Sequence, residues 1–393
     1  MSITTERPVA GVRERFRAFT DEVLAAAPLP GPETVYDDRH PLWAEFRAAG
    51  LPNWWLPARF EGPGVSLLDS VELVAGLAYH DPGFAFTAFL PVLGSRMLEL
   101  YGDPALADEH LSKMTAAGSF TAALGSEAVA GSELTRTATT FRREAGTLVL
   151  NGEKAFSTNL AFAPFVLVLA RNEQDERDFS VILVEAGTPG YEVGHRWQMS
   201  GLQGTGTYAA RFTDCAVPER NELRGNGIRV LEVGLNASRI LMASISIGIA
   251  RRVRDLSMDY AATKSLEDRP LQHNAVFQSR MGQLEMEIEV LKSVCRRAAA
   301  DYDAVYTDPD PSATFYKQGV VKSAIAAKMH CGQAGWRIVS QASEGFGGLG
   351  YTEHHPIQRL MRDMRHISIV ECGDDVLRGL TYARYVKRPS QRG

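Results

Sequence analysis

Seven apolar residues, Phe277, Met281, Leu284, Ile288, Leu291, Cys295 and Ala298, follow one another in alternating steps of four and three over three heptads. Side chains at that spacing share one face of an α-helix, and a stripe of that length is covered only by other helices running beside it. The stripe is therefore the seam of a helix bundle. Helical periodicity also runs through roughly 228–263, 313–343 and 374–387, which predicts four long helices in the last third of the chain. Between about 118 and 225 the character changes to short runs rich in Val, Thr, Phe and Leu, such as Phe165–Ala170 and the run that starts at Ser180, which is strand composition. Within it Asn151-Gly152, set between Leu148-Val149-Leu150 and Lys154-Ala155-Phe156, predicts a two-residue hairpin turn. From about residue 8 to 117 the three-and-four spacing returns, broken at Pro28–Pro32 and Glu61–Gly64. This order predicts an α+β chain with a helical domain at 1–117, a β domain at 118–226 and the bundle at 227–393. No internal repeat or low-complexity tract is present.

Composition removes several classes of function. The 393 residues suffice for two or three domains, and 45% hydrophobic with 23% charged residues is ordinary for a globular protein. The formal net charge is −5 and the basic residues are scattered, so the chain carries no electrostatic footprint for nucleic acid or an anionic membrane. Cys215, Cys295, Cys331 and Cys372 lie far apart and form no CxxC pair, which fits a reducing compartment. The first twenty residues carry charges where a signal peptide needs an apolar core. The longest apolar run, Ile240–Ala250, is short for a bilayer span and interrupted by serines. A soluble cytoplasmic protein is the expectation.

Several segments have residues that suit chemistry. Glu344-Gly-Phe-Gly-Gly-Leu-Gly-Tyr351 has the glycines of a dinucleotide loop, but a helix precedes it where that loop needs a strand. A tight turn between bundle helices is the better account. Two stretches, Leu124–Glu133 and Asn151–Asn159, set small hydroxyl residues beside glycines, which suits either a polar ring and its diphosphate or an ordinary polar loop. A third, Met199–Thr207, reads as a Gly-rich connection between strands. Near the C-terminus, Ile367-Ser-Ile-Val-Glu371-Cys-Gly places an acid after an apolar run, where partial desolvation raises a carboxyl pKa toward the range of a general base. Glu371, Asp374 and Asp375 also suit a helix N-terminus, and taken alone that is the plainer reading. Among the nine histidines, His354-His355 is the one adjacent pair and no ligand spacing exists, so no metal site is expected.

Taken together and in order, these segments resemble the acyl-CoA dehydrogenase family along essentially the whole chain. The family's T-E-P-x-A-G-S-D is similar to Ser126–Glu133, and its N-G-x-K-x-W-I-T-N to Asn151–Asn159, with Phe156 for the tryptophan and Ser157 for the isoleucine. Its G-x-x-G-T-x-T to V-P stretch is similar to Gly201–Pro218, its G-G-x-G-Y to Gly347–Tyr351 and its P-x-x-R-x-x-R-D to Pro356–Asp363. The I-Y-E-G-T that holds its base is similar to Ile369-Val370-Glu371-Cys372-Gly373. The resemblance implies an N-terminal helical domain, a middle β-barrel and a C-terminal four-helix bundle, with FAD between barrel and bundle. It implies that Ser126 and Thr158 address the isoalloxazine, that Phe156 packs on it, and that Gly131 and Ser132 meet the pyrophosphate. It further implies at least a homodimer, or a homotetramer, because the family's FAD also touches a neighbouring subunit.

The departures are specific. The family's R-x-x-F-G, which reaches the neighbouring subunit's FAD, appears as Lys264-Ser-Leu-Glu267-Asp268, and Lys does not replace the planar fork of Arg on a diphosphate. Glu344 stands for the usual glutamine near Gly348, and Gly373 for the threonine after the base. The implied reaction is α,β-dehydrogenation of an acyl thioester, carried on coenzyme A or an acyl carrier protein. Glu371 takes the α-proton, the flavin takes a hydride, and electrons pass on to an electron-transfer flavoprotein or to oxygen. A flavin monooxygenase of the same fold usually lacks the glutamate; a non-catalytic relative would suit Lys264 and Glu267. Ala128, Phe156, Val370 and Cys372-Gly373 replace family residues around the reacting centre, and Phe84, Phe86 and Phe89 are expected to border the acyl tunnel. Both features point to a specialised, short or branched acyl group.

Overall fold

The computed structural model describes residues 6–387 apart from Glu267, with side chains from residue 11 onward. Six helices come first: α1 (Glu6–Ala18), α2 (Pro41–Ala48), α3 (Leu67–His80), α4 (Pro82–Phe89), α5 (Pro91–Tyr101) and α6 (Pro104–Ala117). Local chemistry sets their ends. Pro opens α2, α4, α5 and α6, where the missing N–H is no loss. Side chains of Ser66, Asp81 and Asp103 accept from the free amides of α3, α4 and α6, and left-handed Gly118 stops α6.

Seven strands follow: β1 (Ala122–Leu124), β2 (Thr140–Glu144), β3 (Thr147–Thr158), β4 (Phe165–Asn172), β5 (Phe179–Glu185), β6 (Tyr191–Arg196) and β7 (Thr207–Pro218). They make one curled sheet in the order β1-β4-β2-β3-β7-β6, with β5 also paired to β4. The hairpin expected at Asn151-Gly152 is absent, because β3 runs straight through it. The turn is Ala145-Gly146, both at positive φ (44° and 84°), as a two-residue hairpin requires. Asn151-Gly152 forms a bulge against β7 instead. There the Asn151 side chain exchanges hydrogen bonds with Asp214 (2.8 and 3.1 Å). A Cβ on Gly152 would stand 2.6 Å from the Thr139 backbone.

The last third comprises α7 (Gly227–Thr263), α8 (Ala275–Tyr306), α9 (Pro311–Gln318), α10 (Lys322–Gly345), α11 (Pro356–Ile369) and α12 (Asp374–Thr381). The bundle is α7, α8, α10 and α11. Of two expected helices, 313–343 is broken at Gly319, which sits at φ 65° between α9 and α10, whereas 374–387 is helical as far as Val386, with α12 running directly into a π-helical segment over Tyr382–Val386. The fourth bundle helix is α11, which carries the P-x-x-R-x-x-R-D segment. On α8, Leu284, Ile288, Leu291, Cys295 and Ala298 are buried, while Phe277 and Met281 line a cleft. Gly347–Tyr351 forms a 3₁₀ turn joining α10 to α11, with a helix where a strand-to-helix dinucleotide loop needs a strand.

α7 is the axis of the molecule. Among the described residues it is the helix long and apolar enough to cross a bilayer, yet that apolar stretch is wholly buried. It packs on α3, α4 and α5 of the N-terminal region and on α8, α10 and α11 of the last third. A buried polar junction also ties the three regions. Asp363 of α11 accepts from the Leu202 amide (2.5 Å) and faces Arg359, which meets Asp81 (3.2 Å), the acceptor of the Tyr36 hydroxyl (2.5 Å). Burial holds the Asp363 carboxyl up, at about 6. Gly201 is required here by close approach: a Cβ would lie 2.4 Å from the Arg362 carbonyl.

Candidate active site

Glu371 sits in the four-residue link between α11 and α12. Both Glu371 (φ 52°) and Cys372 (φ 79°) are left-handed, a costly conformation for side-chain-bearing residues in succession. Two buried cations hold the link. Arg239 of α7 donates to the Glu371 carbonyl through Nε (3.2 Å) and Nη2 (3.1 Å). Lys328 of α10 donates to the carbonyls of Cys372 (2.6 Å) and Ser368 (3.3 Å) and lies 3.6 Å from Asp374. Burial pushes the Lys328 ammonium down, and Asp374 opposes this.

The carboxyl itself has two unlike oxygens. Oε1 accepts a hydrogen bond from the Ser238 hydroxyl of α7, whereas Oε2 is buried with no partner among the described residues. Although Glu371 as a residue keeps some surface, its acid group is desolvated, which raises its pKa to about 7. Ser238, Arg239 and Lys328 pull the other way. The desolvation is not supplied by Ile369, which is 58% exposed. It comes from α7 and the pocket wall.

That wall encloses about 100 Å³ and brings Ser126, Ser132, Phe156 and Thr158 together with Glu371. Each arrives by a local device. Ser126 and Ser132 lie on the loop after β1, which is pinned from within by a buried ion pair. Lys154 Nζ meets Glu127 Oε1 (2.8 Å), Thr137 (2.8 Å) and the Gly125 carbonyl (3.2 Å). The second Glu127 oxygen accepts from the Ala138 amide (2.7 Å). Gly131, at φ 53° with open space around its Cα, makes the loop's turn. Phe156, at φ 50°, is swung out by a bulge between Lys154 and Ser157. Its ring is 54% exposed and stacks on Trp197 (4.7 Å). The Thr158 hydroxyl lies 2.9 Å from that of Thr207.

The opposite wall is apolar: Phe86 of α4, Leu90 at the α4–α5 junction, Leu93 of α5, Leu231 and Leu235 from α7, then Val370. Of the three phenylalanines expected at the tunnel, Phe86 alone lines the pocket. Phe84 points into the aromatic core of Phe19, Tyr36 and Phe46, and Phe89 backs Phe86 edge-on (5.5 Å). His366 of α11 also meets Phe86 edge-on (4.9 Å). Burial and Lys328 push its imidazole down to about 4, so it is neutral.

The other expected residues lie elsewhere. Glu344 lines a roomier cleft of about 620 Å³ between α7, α8 and α10, with Tyr260, Arg280 and Arg337. Gly348 is in the 3₁₀ turn just beyond it, and Lys264 caps the C-terminal end of α7. Gly373 begins α12 beside Cys372. Glu267 is outside the described residues. Sequence reading missed Ser238, Arg239 and Lys328. Lys328 had a visible signal, a lone charge on the stripe Ala324, Ala327, Cys331, Gly335 and Ile338 that α10 buries.

Comparison with known proteins bears on this geometry. Family models for the acyl-CoA dehydrogenase N-terminal, middle and C-terminal domains match residues 10–118, 122–215 and 225–386. The chain belongs to the acyl-CoA dehydrogenase family. It is thus an oxidoreductase. The mitochondrial isobutyryl-CoA dehydrogenase of Dictyostelium discoideum is 28% identical over 323 residues, 81% of this chain and 74% of the relative. Butyryl-CoA dehydrogenase from Megasphaera elsdenii has the same fold (TM-score 0.85, 23% identity, 98% of this chain and 100% of that one). So does a prolyl acyl carrier protein oxidase (TM-score 0.82, 18% identity, 95% and 97%).

Proposed function

We propose that this acyl-CoA dehydrogenase family member catalyses FAD-dependent α,β-dehydrogenation of an acyl thioester, with Glu371 as the base. The observation that carries the reading is the Glu371 carboxyl: desolvated, held near neutrality, and presenting one buried oxygen without a partner beside a pocket that is polar on one wall and apolar on the other. The residues present fit the flavin. Ser126 and Thr158 supply hydroxyls for the isoalloxazine, the outward ring of Phe156 offers it a flat partner, and Gly131 with Ser132 receives the diphosphate. Gly373 begins α12 at the same site. Lys264, Glu344 and Gly348 serve the FAD of a neighbouring subunit, so the active form is a homodimer or homotetramer.

When bound, FAD accepts the hydride that leaves the β-carbon. Glu371 Oε2 takes the α-proton, and the Glu371 amide donates to the thioester carbonyl, where charge builds up. Leu90, Leu93, Leu231 and Leu235 keep water from the reacting carbons, and Phe86 limits the acyl group to a compact one. The acyl group rides on coenzyme A or an acyl carrier protein, and the electrons pass to an electron-transfer flavoprotein or oxygen. The four free cysteines suit a cytoplasmic setting.

Anaerobic titration of the FAD-loaded protein with butyryl, isobutyryl and octanoyl thioesters tests this. Stoichiometric loss of the oxidised flavin absorbance with a compact acyl group is expected. Failure to bind FAD, or an unbleached flavin with every thioester, overturns the reading.

A further inference from the structure

We infer that Ser238 is a positioning residue for the base: it ties down Oε1 of Glu371 and so reserves Oε2 for the α-proton. This rests on Glu371 being the base. The other charged and polar groups around the carboxyl make their hydrogen bonds to other atoms, and Arg239 Nη1, His366 Nε2 and Asp374 Oδ1 are buried without a hydrogen-bond partner among the described residues. From α7, Arg239 donates to the Glu371 carbonyl and lies 3.5 Å from the Cys372 sulfur. From α10, Lys328 donates to the Cys372 and Ser368 carbonyls. His366 of α11 is neutral against Phe86. Asp374, at the start of α12, accepts from Gln333 (3.0 Å). Among the described residues, Ser238 alone donates to the carboxylate.

The direction of that hydroxyl is informative. A buried serine inside a helix has a ready acceptor in the carbonyl one turn back. On this same helix Ser244 donates to the Ile240 carbonyl (2.9 Å), Ser246 to that of Ala243 (2.6 Å) and Ser257 to that of Val253 (2.8 Å). Ser238, wholly buried like Ser244 and Ser246, bonds outward across the bundle instead.

Two effects follow. Anchoring Oε1 stops the carboxylate from turning its two oxygens end for end, so the accepting lone pair is already aimed at the pocket. The bond also favours the charged form, against the desolvation that raises the acid.

The test compares Ser238→Ala and Ser238→Thr with wild type in the FAD-loaded enzyme, through kcat, KM and the pH profile of kcat/KM on a bleaching thioester. Ser238→Ala is expected to move the acid limb up by about one pH unit, as loss of one hydrogen bond to a carboxylate implies. It is expected to lower kcat about tenfold with KM nearly unchanged, and Ser238→Thr to restore both. An unmoved limb, or a loss uniform across pH that Thr does not rescue, overturns the inference. Glu371→Gln run beside them separates the two readings: if it still turns over, the base assignment itself falls; if it is inactive while Ser238→Ala behaves as wild type, only the role of Ser238 falls.

Discussion

Removing Lys154 alone should unfold much of this protein's margin, whereas removing it together with its partner should not. The pair is buried beneath the Ser126–Ser132 loop, with the Lys154 side chain wholly covered and that of Glu127 nearly so. Desolvation works against the Glu127 charge, but Lys154, Thr137 and the Ala138 amide outweigh it and hold the carboxyl at about 2 against an ordinary 4.5. That depression contributes about 3 kcal/mol above pH 4.5, at about 1.4 kcal/mol per pH unit, and is lost as pH falls from there through 2. Burial pushes Lys154 the other way, to about 8 against 10.5, an opposing term of about the same size at neutral pH. As a unit the pair is close to neutral, as buried ion pairs generally are. A survivor is not. Lys154→Met strands a buried carboxylate and should cost about 3–5 kcal/mol, read as a fall in the urea midpoint at unchanged slope. Lys154→Met with Glu127→Leu should recover all but about 1 kcal/mol. The single variant should also regain stability between pH 7 and 4.5 as the stranded acid protonates. A single variant within 1 kcal/mol of wild type, or a double no better than the single, refutes the reasoning.

Glu371→Gln should retain FAD and lose turnover by about 10²- to 10⁴-fold, and the wild-type acid limb of kcat/KM, which rises through about pH 7, should vanish with it. Because the Glu371 pKa is raised on folding, its charge costs stability above 4.5. The same variant should therefore be more stable than wild type by up to about 3 kcal/mol at pH 8, with the gap closing toward pH 5 in thermal melts. Phe86→Ala should raise the octanoyl-to-butyryl ratio of kcat/KM about tenfold or more by opening the end of the pocket. An unchanged ratio would place the limit on chain length elsewhere.

The architecture was legible because each region has one dominant periodicity and the α8 seam admits only a bundle. What misled was chemistry that serves two ends. Asn-Gly suits a tight turn, yet Gly152 is there to let the Thr139 backbone pass and Asn151 to grip Asp214. The phenylalanines of α4 were readable as apolar, but the face of a short helix that is buried all round is settled by its neighbours, so Phe84 and Phe86 separate. The base stood out as an acid after an apolar run. Its partners did not, since Ser238 and Arg239 gain their meaning only when α7 crosses the α11–α12 link, 133 residues away in sequence for Ser238. Several motif segments turned out to be joinery: Gly201, Arg359 and Asp363 lock β-region loop to helix and do not line the pocket.

On α7, Leu231, Leu235 and Ser238 fall at steps of four and three, so the pocket wall and the hydroxyl that meets the base share one stripe of one helix. Size selection and acid strength are in consequence geared together. A roll of α7 about its axis, of the kind a repacked bundle core produces, swings the leucines and the serine through the same angle. Variants selected for a larger acyl group through the bundle will then arrive with an altered pH optimum, and the two traits will be separable only by changes made on α4 or α5.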